Sequence, residues 1–537
     1  MKKITKLFKN TTAKILGYID DNKESWINDY LAKEKVIKNT DLESYIEENK
    51  ISGKNVEVLS LTWENYAFNG AGTGGTVVNT KVCRTQTFTE KGLYLICFPD
   101  ELKVTYNVKN YTNNGKRLNI SSYHPVSMFN DGLVRAYFER KNGTELLTTD
   151  EILNEVMIYR IASTRSDYDV VIAANDTNEY KKAKADIILD GINDTKILSA
   201  LLGCYHSIKV LLYGGTYNIT EMWTYSDTSK IAFSFNDYNY DGGSTTRRYI
   251  CIDGEMPCTP QSEDTIKFYV SQELHESLSD TDMYYFIIGS PYSVGDTVPR
   301  NATSCKLSNF NIIGYKYDKP ITYIDTTRCL STMIDSVNVR SWCENITSYN
   351  SFEDTPNSEC TGIRVGRGSN YGIQNYVKHS NVWYCGKGIA CNGEHFIFED
   401  VKVHHDYIGF VFGDRATVGH FEHPNIMNGC SIEGCYRLMC LSKNGVTEEG
   451  DFVYNYDKNL LRSTLIITGT STETTWHIPT NEVTGDTTTQ TTLPILEILK
   501  GAYRGRIEID YPKSPFEEGS CQNMKYIAYY GKDTLEG

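Results

Sequence analysis

The stretch that decides the fold runs from Ala183 to Thr220: AKADIILDGINDTKILSALLGCYHSIKVLLYGGTYNIT. An Asp-rich turn (Asp190, Asn193, Asp194) leads into a short run with Ile197, Leu198, Leu201 and Leu202 at helical spacing. Asp194 stands where an N-cap belongs, because its carboxylate can accept from the first free backbone N–H groups. Ser207 to Leu212 then reads as a strand. Gly214-Gly215 breaks it, and Thr216-Tyr217-Asn218-Ile219 begins another. A helix at this place closes the mouth of a stacked β structure and hides its first apolar layer from water.

The same residues carry a resemblance. Ala185-Asp186, Asp190-Gly191, Asp194 and Gly215-Thr216-Tyr217-Asn218-Ile219 resemble the opening of the pectate-lyase-like β-helix family found in bacteriophage tail spikes and related virion proteins. That family runs roughly AD-x-x-x-DG-x-x-D, a helix, then GG-x-x-x-L-x-x-GTY-x-I. Tyr205-His206-Ser207 stands where the family often has Gly-Gly. The resemblance implies a right-handed parallel β-helix over 183–511. It does not imply one chemistry, because such a fold carries lyases, hydrolases and inert adhesins alike.

The remaining chain agrees with a mainly β protein. Apolar-polar-apolar triplets recur at Phe310-Asn311-Ile312, Val337-Asn338-Val339, Ser380-Asn381-Val382, Val401-Lys402-Val403 and Cys430-Ser431-Ile432. Their steps are 27, 43, 21 and 29 residues, the 43 reading as two turns of a period in the low twenties. Second strands follow glycines at Gly362, Gly388 and Gly409. Asn311, Asn338 and Asn381 recur in register and read as a structural ladder that bonds the backbone of the turns. Trp223 to Asp253 and Glu263 to Arg300 read as insertions bulging from the repeat.

Ahead of the repeat, 1–50 reads as a helical segment for oligomerisation or attachment to a particle. Residues 51–148 read as a β-sandwich whose closing phrase, Leu133 to Glu145, resembles the last hairpin of the jelly-roll modules that precede β-helices in phage tail proteins; 149–182 reads as a linker and 512–537 as a C-terminal tail or cap. With 39 Tyr and 41 Gly against 13 Pro, the composition favours strands joined by tight turns. The net charge of −14 argues against general nucleic-acid binding. Fifteen cysteines occur without a CxxC pair, and those in strands read as small core residues, with no zinc site. The start, Met1-Lys2-Lys3, is not followed by a signal peptide's apolar run, and no membrane span is visible.

No standard catalytic motif appears, and no cofactor or metal is expected. One polar cluster stands out: Glu399-Asp400, His404-His405-Asp406, then Asp414-Arg415, His420, Glu422 and His423. Asp400 and Glu422 are 22 residues apart, close to one turn of the repeat, so they can form a carboxylate pair for glycoside hydrolysis, with His404 and Asp406 beside them. Lys402, Lys378 or Arg367 instead suits β-elimination from a uronic acid, taking a proton or neutralising the carboxylate. The alternative is a solvated outer face. Sugar-binding candidates are Trp63, Tyr66, Trp383, Lys402 and His405, the first two being core residues if their rings face inward.

The resemblance implies a virion surface protein, a tail spike or tail fibre, made in the host cytoplasm and self-associating as a homotrimer. It implies contact with other virion proteins through 1–50 and with host surface polysaccharide. Two functional classes follow: an adhesin that binds glycan without cutting it, or a depolymerase working through the 400–423 cluster.

Overall fold

The computed structural model describes residues 56–58, 63–66, 82–85, 90, 92–98, 102–108, 117–120, 126–130, 134–140, 156–161, 167–203, 207–235, 248–256, 265–289, 303–327, 329, 331–342, 356–366, 374–392, 396–412, 425–435, 437–441, 461–468, 471–473, 496–498, 503–510 and 527–529. The expectations for 1–50 and for Glu422 fall outside these residues. What is described is mainly strand, and most of it lies in two parallel sheets.

The helix Asp194–Leu202 buries Ile197, Leu198, Leu201 and Leu202, as the spacing predicts. Asp194 is not its cap. Asn193 holds that position without a side-chain bond, and Asp194 is the first helical residue. Its carboxylate instead accepts from Gly191 N at 2.9 Å and Asn218 N at 2.8 Å, tying the turn to the strand Gly215–Ile219. Burial pushes that carboxyl up to about 6. Gly215 is required by a close approach: a Cβ there would stand 2.8 Å from the Ala174 Cβ, on a backbone with φ of +154°.

The larger parallel sheet takes two strands from each advance of the chain. Strand pairs such as Gln374–Lys378 with Asn381–Trp383, and Phe396–Glu399 with Lys402–His404, are separated by two residues, the first of them a bend. The bends lie in the left-handed region at Asn309, Ser336, His379, Asp400 and Gly429, with φ of 63°, 57°, 48°, 49° and 62°. Small polar residues, histidine and glycine tolerate this conformation better than branched side chains. A second column of bends follows at Tyr384, His405 and Gly434. The chain then enters the smaller parallel sheet, at Thr361–Gly366, Lys387–Asn392, Ile408–Phe412 and Arg437–Leu441.

The triplets read from the sequence are register neighbours. Phe310 pairs with Val337, Asn338 with Asn381, Asn381 with Lys402, and Lys402 with Ser431. The 43-residue step from Asn338 to Asn381 is therefore one advance, not two. Inside, Tyr217, Phe268, Ile312, Val339, Val382, Val403 and Ile432 form one buried column. Phe268 sits among Tyr217, Phe233, Phe286 and Phe310, with centroids 5.6, 6.0, 5.7 and 5.2 Å away. A fully buried side chain of this size contributes roughly 1.5–3 kcal/mol.

Two expectations about the path are corrected. The stretches Trp223 to Asp253 and Glu263 to Arg300 are not bulges: Arg248–Gly254 and Ile266–Val270 belong to the larger sheet, Ser229–Ser234 and Met283–Ile288 to the smaller. Their alternating apolar residues are what place them there. Likewise 149–182 is more than a connection. Met157–Ile161 pairs antiparallel with Gly92–Cys97, and Val170–Ala173 begins the larger parallel sheet.

Before residue 162 the strands form two antiparallel sheets of four and five strands. Phe98 meets Phe138 edge to face at 5.6 Å. The glycines that open strands of the smaller parallel sheet have a packing reason. A Cβ on Gly362 would lie 2.7 Å from the Gly388 carbonyl oxygen, and one on Gly388 would lie 2.5 Å from the Asp406 Oδ2. The buried thiols of Cys385, Cys391, Cys430 and Cys435 fill small gaps in the core. Burial raises the Cys430 thiol to about 12, which keeps it protonated and unreactive.

Candidate functional site

Strand alternation decides which of the candidate side chains meet. Val401 and Val403 point inward and are buried, so Lys402 and His404 point outward. Register then stacks Trp383, His404 and Glu433 in one outer column, with Asn381, Lys402 and Ser431 in the next. The His404 ring lies on the Trp383 ring at 5.5 Å, with 22° between planes. On its other side, His404 Nδ1 stands 3.1 Å from Glu433 Oε2. The Ser431 hydroxyl donates to Glu433 Oε1 at 2.7 Å.

These bonds fix the charge on Glu433. The bond from His404 dominates, the bond from Ser431 and the Lys402 charge assist, and the carboxyl is held down at about 2 against the opposing effect of burial. Glu433 is thus a permanent anion and acceptor. It is 40% exposed, whereas His404 is 15% exposed. Lys402 is exposed on the same strand.

One corner earlier along the chain a second histidine–carboxylate pair occurs. His379 Nδ1 is 3.0 Å from Asp335 Oδ1, and Lys378 Nζ is 3.2 Å from Asp335 Oδ2. Burial works upward on Asp335, but the bonds from His379 and Lys378 together outweigh it and leave the carboxyl below its ordinary value. Tyr376 donates its hydroxyl to Glu399 on the neighbouring strand.

The predicted residues separate into three groups. Trp383, Lys402 and His404 share the outer face just described. Asp400 and His405 occupy the two left-handed bends flanking it, and the His405 ring stacks on Tyr384 at 5.3 Å and 20°. Asp406 does not share that face: it is fully buried, and its Oδ1 accepts from Cys385 N at 2.7 Å. Burial raises its carboxyl well above the ordinary value, so it is a structural acid under the corner.

The proposed pairing of Asp400 with Glu422 meets a register difference. The advance at this point spans 29 residues, as in the bond from Phe396 N to the Asn425 side chain. Glu399 pairs with Asn428, which sets Gly429 beside Asp400; Glu422 lies outside the described residues. Trp63 and Tyr66 lie on the strand Trp63–Tyr66 of the five-stranded antiparallel sheet, and only their backbone is described.

Glu433 was missed by the sequence reading. The triplet Cys430-Ser431-Ile432 ends one residue before it, and extending the last three triplets by one outward position yields Trp383, His404 and Glu433 together. Among the described residues, no group of three His, Cys, Asp or Glu side chains is placed to hold a metal ion. No described helix is long and apolar enough to cross a membrane.

Comparison with known proteins returned nothing: no protein family, no curated protein and no solved structure matches this chain. The chemistry available to the site is therefore argued from its own geometry. It offers an oriented imidazole, a permanent carboxylate, an exposed ammonium and the edge of an indole. Such a set can donate to and accept from hydroxyls while an aromatic edge covers a sugar's apolar patch.

Proposed function

We propose that this protein is a surface projection of a bacteriophage particle, a tail spike or tail fibre, that holds host surface polysaccharide without needing to cut it. The observation that carries this reading is the outer column Trp383, His404 and Glu433 with Lys402 beside it, a ledge of mixed donors and acceptors on successive strands. An extended saccharide can run along such a ledge, meeting equivalent positions about 4.8 Å apart.

In this reading the two parallel sheets are walls of a right-handed β-helix, preceded by a β-sandwich built from the two antiparallel sheets. Support comes from the chain order. From Ser331 on, each advance contributes strand, bend and strand to one sheet and then a strand to the other, and successive advances pair in parallel. The resemblance of the Ala183–Thr220 region to virion β-helix proteins supports the assignment to a particle. The same likeness supports a homotrimer, with 1–50 as the attachment segment to other virion proteins.

The test is retention of the purified protein on polysaccharides from candidate host surfaces, with glycan length followed in the same samples. Retention on intact chains, lost on replacing Trp383 by Ala, is the expected result. Shortened chains would replace the adhesin with a depolymerase, and no retention on any candidate surface would remove the glycan role. Sedimentation of the same preparation at three times the chain mass is expected for the trimer.

A further inference from the structure

We infer that His404 is the general base of an acyl-ester hydrolysis, removing O-acetyl groups from a neutral glycan held on the outer ledge. This deepens the glycan-binding reading and rests on it.

The geometry gives His404 two restraints and one open atom. Stacking on Trp383 fixes the ring plane, and the bond to Glu433 fixes rotation within that plane. Among the described residues Nε2 meets no protein hydrogen-bond partner, and it is not among the buried atoms left unsatisfied. An imidazole with Nδ1 bound by a carboxylate and Nε2 facing outward is arranged to take a proton from water. Ser431 is not the nucleophile, because its hydroxyl is already donated to Glu433. Water fills that role.

Lys402 lies two residues before His404 on the same strand and the same face. Its charge acts on Glu433, which places the ammonium in the field of the site. In the reaction, water oxygen attacks the acetyl carbonyl carbon while His404 Nε2 takes the water proton. The carbonyl π electrons move to oxygen, and the Lys402 ammonium stabilises that oxyanion. Collapse re-forms the carbonyl and breaks the bond to the sugar oxygen. The sugar oxygen receives the proton from His404, and acetic acid leaves and gives its own proton to bulk water as acetate. Water is the only co-reactant.

The carboxylates nearest His404 oppose acidic sugars, with Lys402 and, beside Trp383, Arg340 as the cations of the same outer face. Glu433 is a permanent anion, Glu399 and Asp400 stand on the adjoining strand and bend, and Lys378 is engaged by Asp335. A neutral glycan bearing esters meets no such repulsion.

The full-length protein is assayed on 4-nitrophenyl acetate and on chemically O-acetylated dextran, with release of nitrophenolate and acetate measured across pH. His404→Gln is expected to lower the rate about 100-fold, the lower end of what a positioned general base contributes. Glu433→Gln is expected to keep only part of the rate, because the ring loses the carboxylate that fixes its rotation. Lys402→Met is expected to lower kcat with little change in KM. Equal hydrolysis by the wild type and His404→Gln, or none by the wild type, overturns the inference. Should His404→Gln fail to fold, Glu433→Gln decides, and an unchanged rate in that variant overturns the inference too. Glycan retention without acetate release removes this inference alone; loss of retention as well removes the glycan reading with it.

Discussion

The strands that carry the site have two faces, and the faces obey different rules. Inward, the column from Tyr217 through Phe268 and Ile312 to Val382, Val403 and Ile432 is continuously buried. Outward, neighbouring positions change character along the stack. Asn311, Asn338 and Asn381 bond amide to amide, at 2.8 Å between the first two and 2.6 Å between the second two, and Asn311 reaches the Ile266 carbonyl at 3.2 Å. At the next positions of that column stand Lys402 and Ser431, and the amide ladder stops. Identical backbone register therefore supports a self-satisfied ladder in one region and a chemically open ledge in the next. Packing fixes the inner residues, and only hydrogen-bond satisfaction constrains the outer ones.

The sharpest way to break that contrast is Phe268→Ala. Removing a ring that touches four others should cost about 3–5 kcal/mol, read from the shift in a denaturant midpoint. A change below about 1 kcal/mol would mean that the inner column is not what holds the sheets together. Next comes Asn338→Leu, which leaves the Asn311 oxygen and the Asn381 amide without their ladder partner. Each buried unsatisfied group costs roughly 1–3 kcal/mol, and an unchanged midpoint would demote the ladder to ornament.

A smaller effect concerns the buried acid Asp406. Its carboxyl is raised in the folded state, so the folded state binds the extra proton. Stability is then fully present below the ordinary carboxyl range near 3.8 and is lost as pH rises through the raised value. Asp406→Asn keeps an acceptor for Cys385 N and should flatten that part of the melting-temperature profile. An unaltered profile would show that the slope belongs to other groups. The smallest change in stability is expected from Lys402→Met, within about 0.5 kcal/mol because the side chain is exposed. The same variant should nonetheless lower acetate release, which separates the ledge from the core in a single protein.

Much of this was legible in the sequence because alternation and stacking leave local signatures. The triplets from Phe310 to Ile432 fall in true register, and the helix after Asp190 buries the predicted residues. What was not legible came from distances along the chain. A 43-residue step and a 21-residue step both make a single advance, so counting residues cannot tell which carboxylates become neighbours. Asp400 next to Gly429, 29 residues on, is that ambiguity at one position. Asp194 and Asp406 show a second limit. A carboxylate that serves backbone N–H groups inside a corner has the same letter as one that meets solvent, and only burial separates them.

The variable step also bears on how such a chain can diversify. Advances of 21, 27, 29 and 43 residues join without disturbing pairing in the larger sheet. Doubling a flexible connection costs only about 0.6 kcal/mol in closure entropy. Segments can therefore be lengthened, trimmed or exchanged between related chains at the connections, while the ladder beneath keeps its spacing. Recombination has wide latitude here, and recognition can be rewritten without renegotiating the architecture.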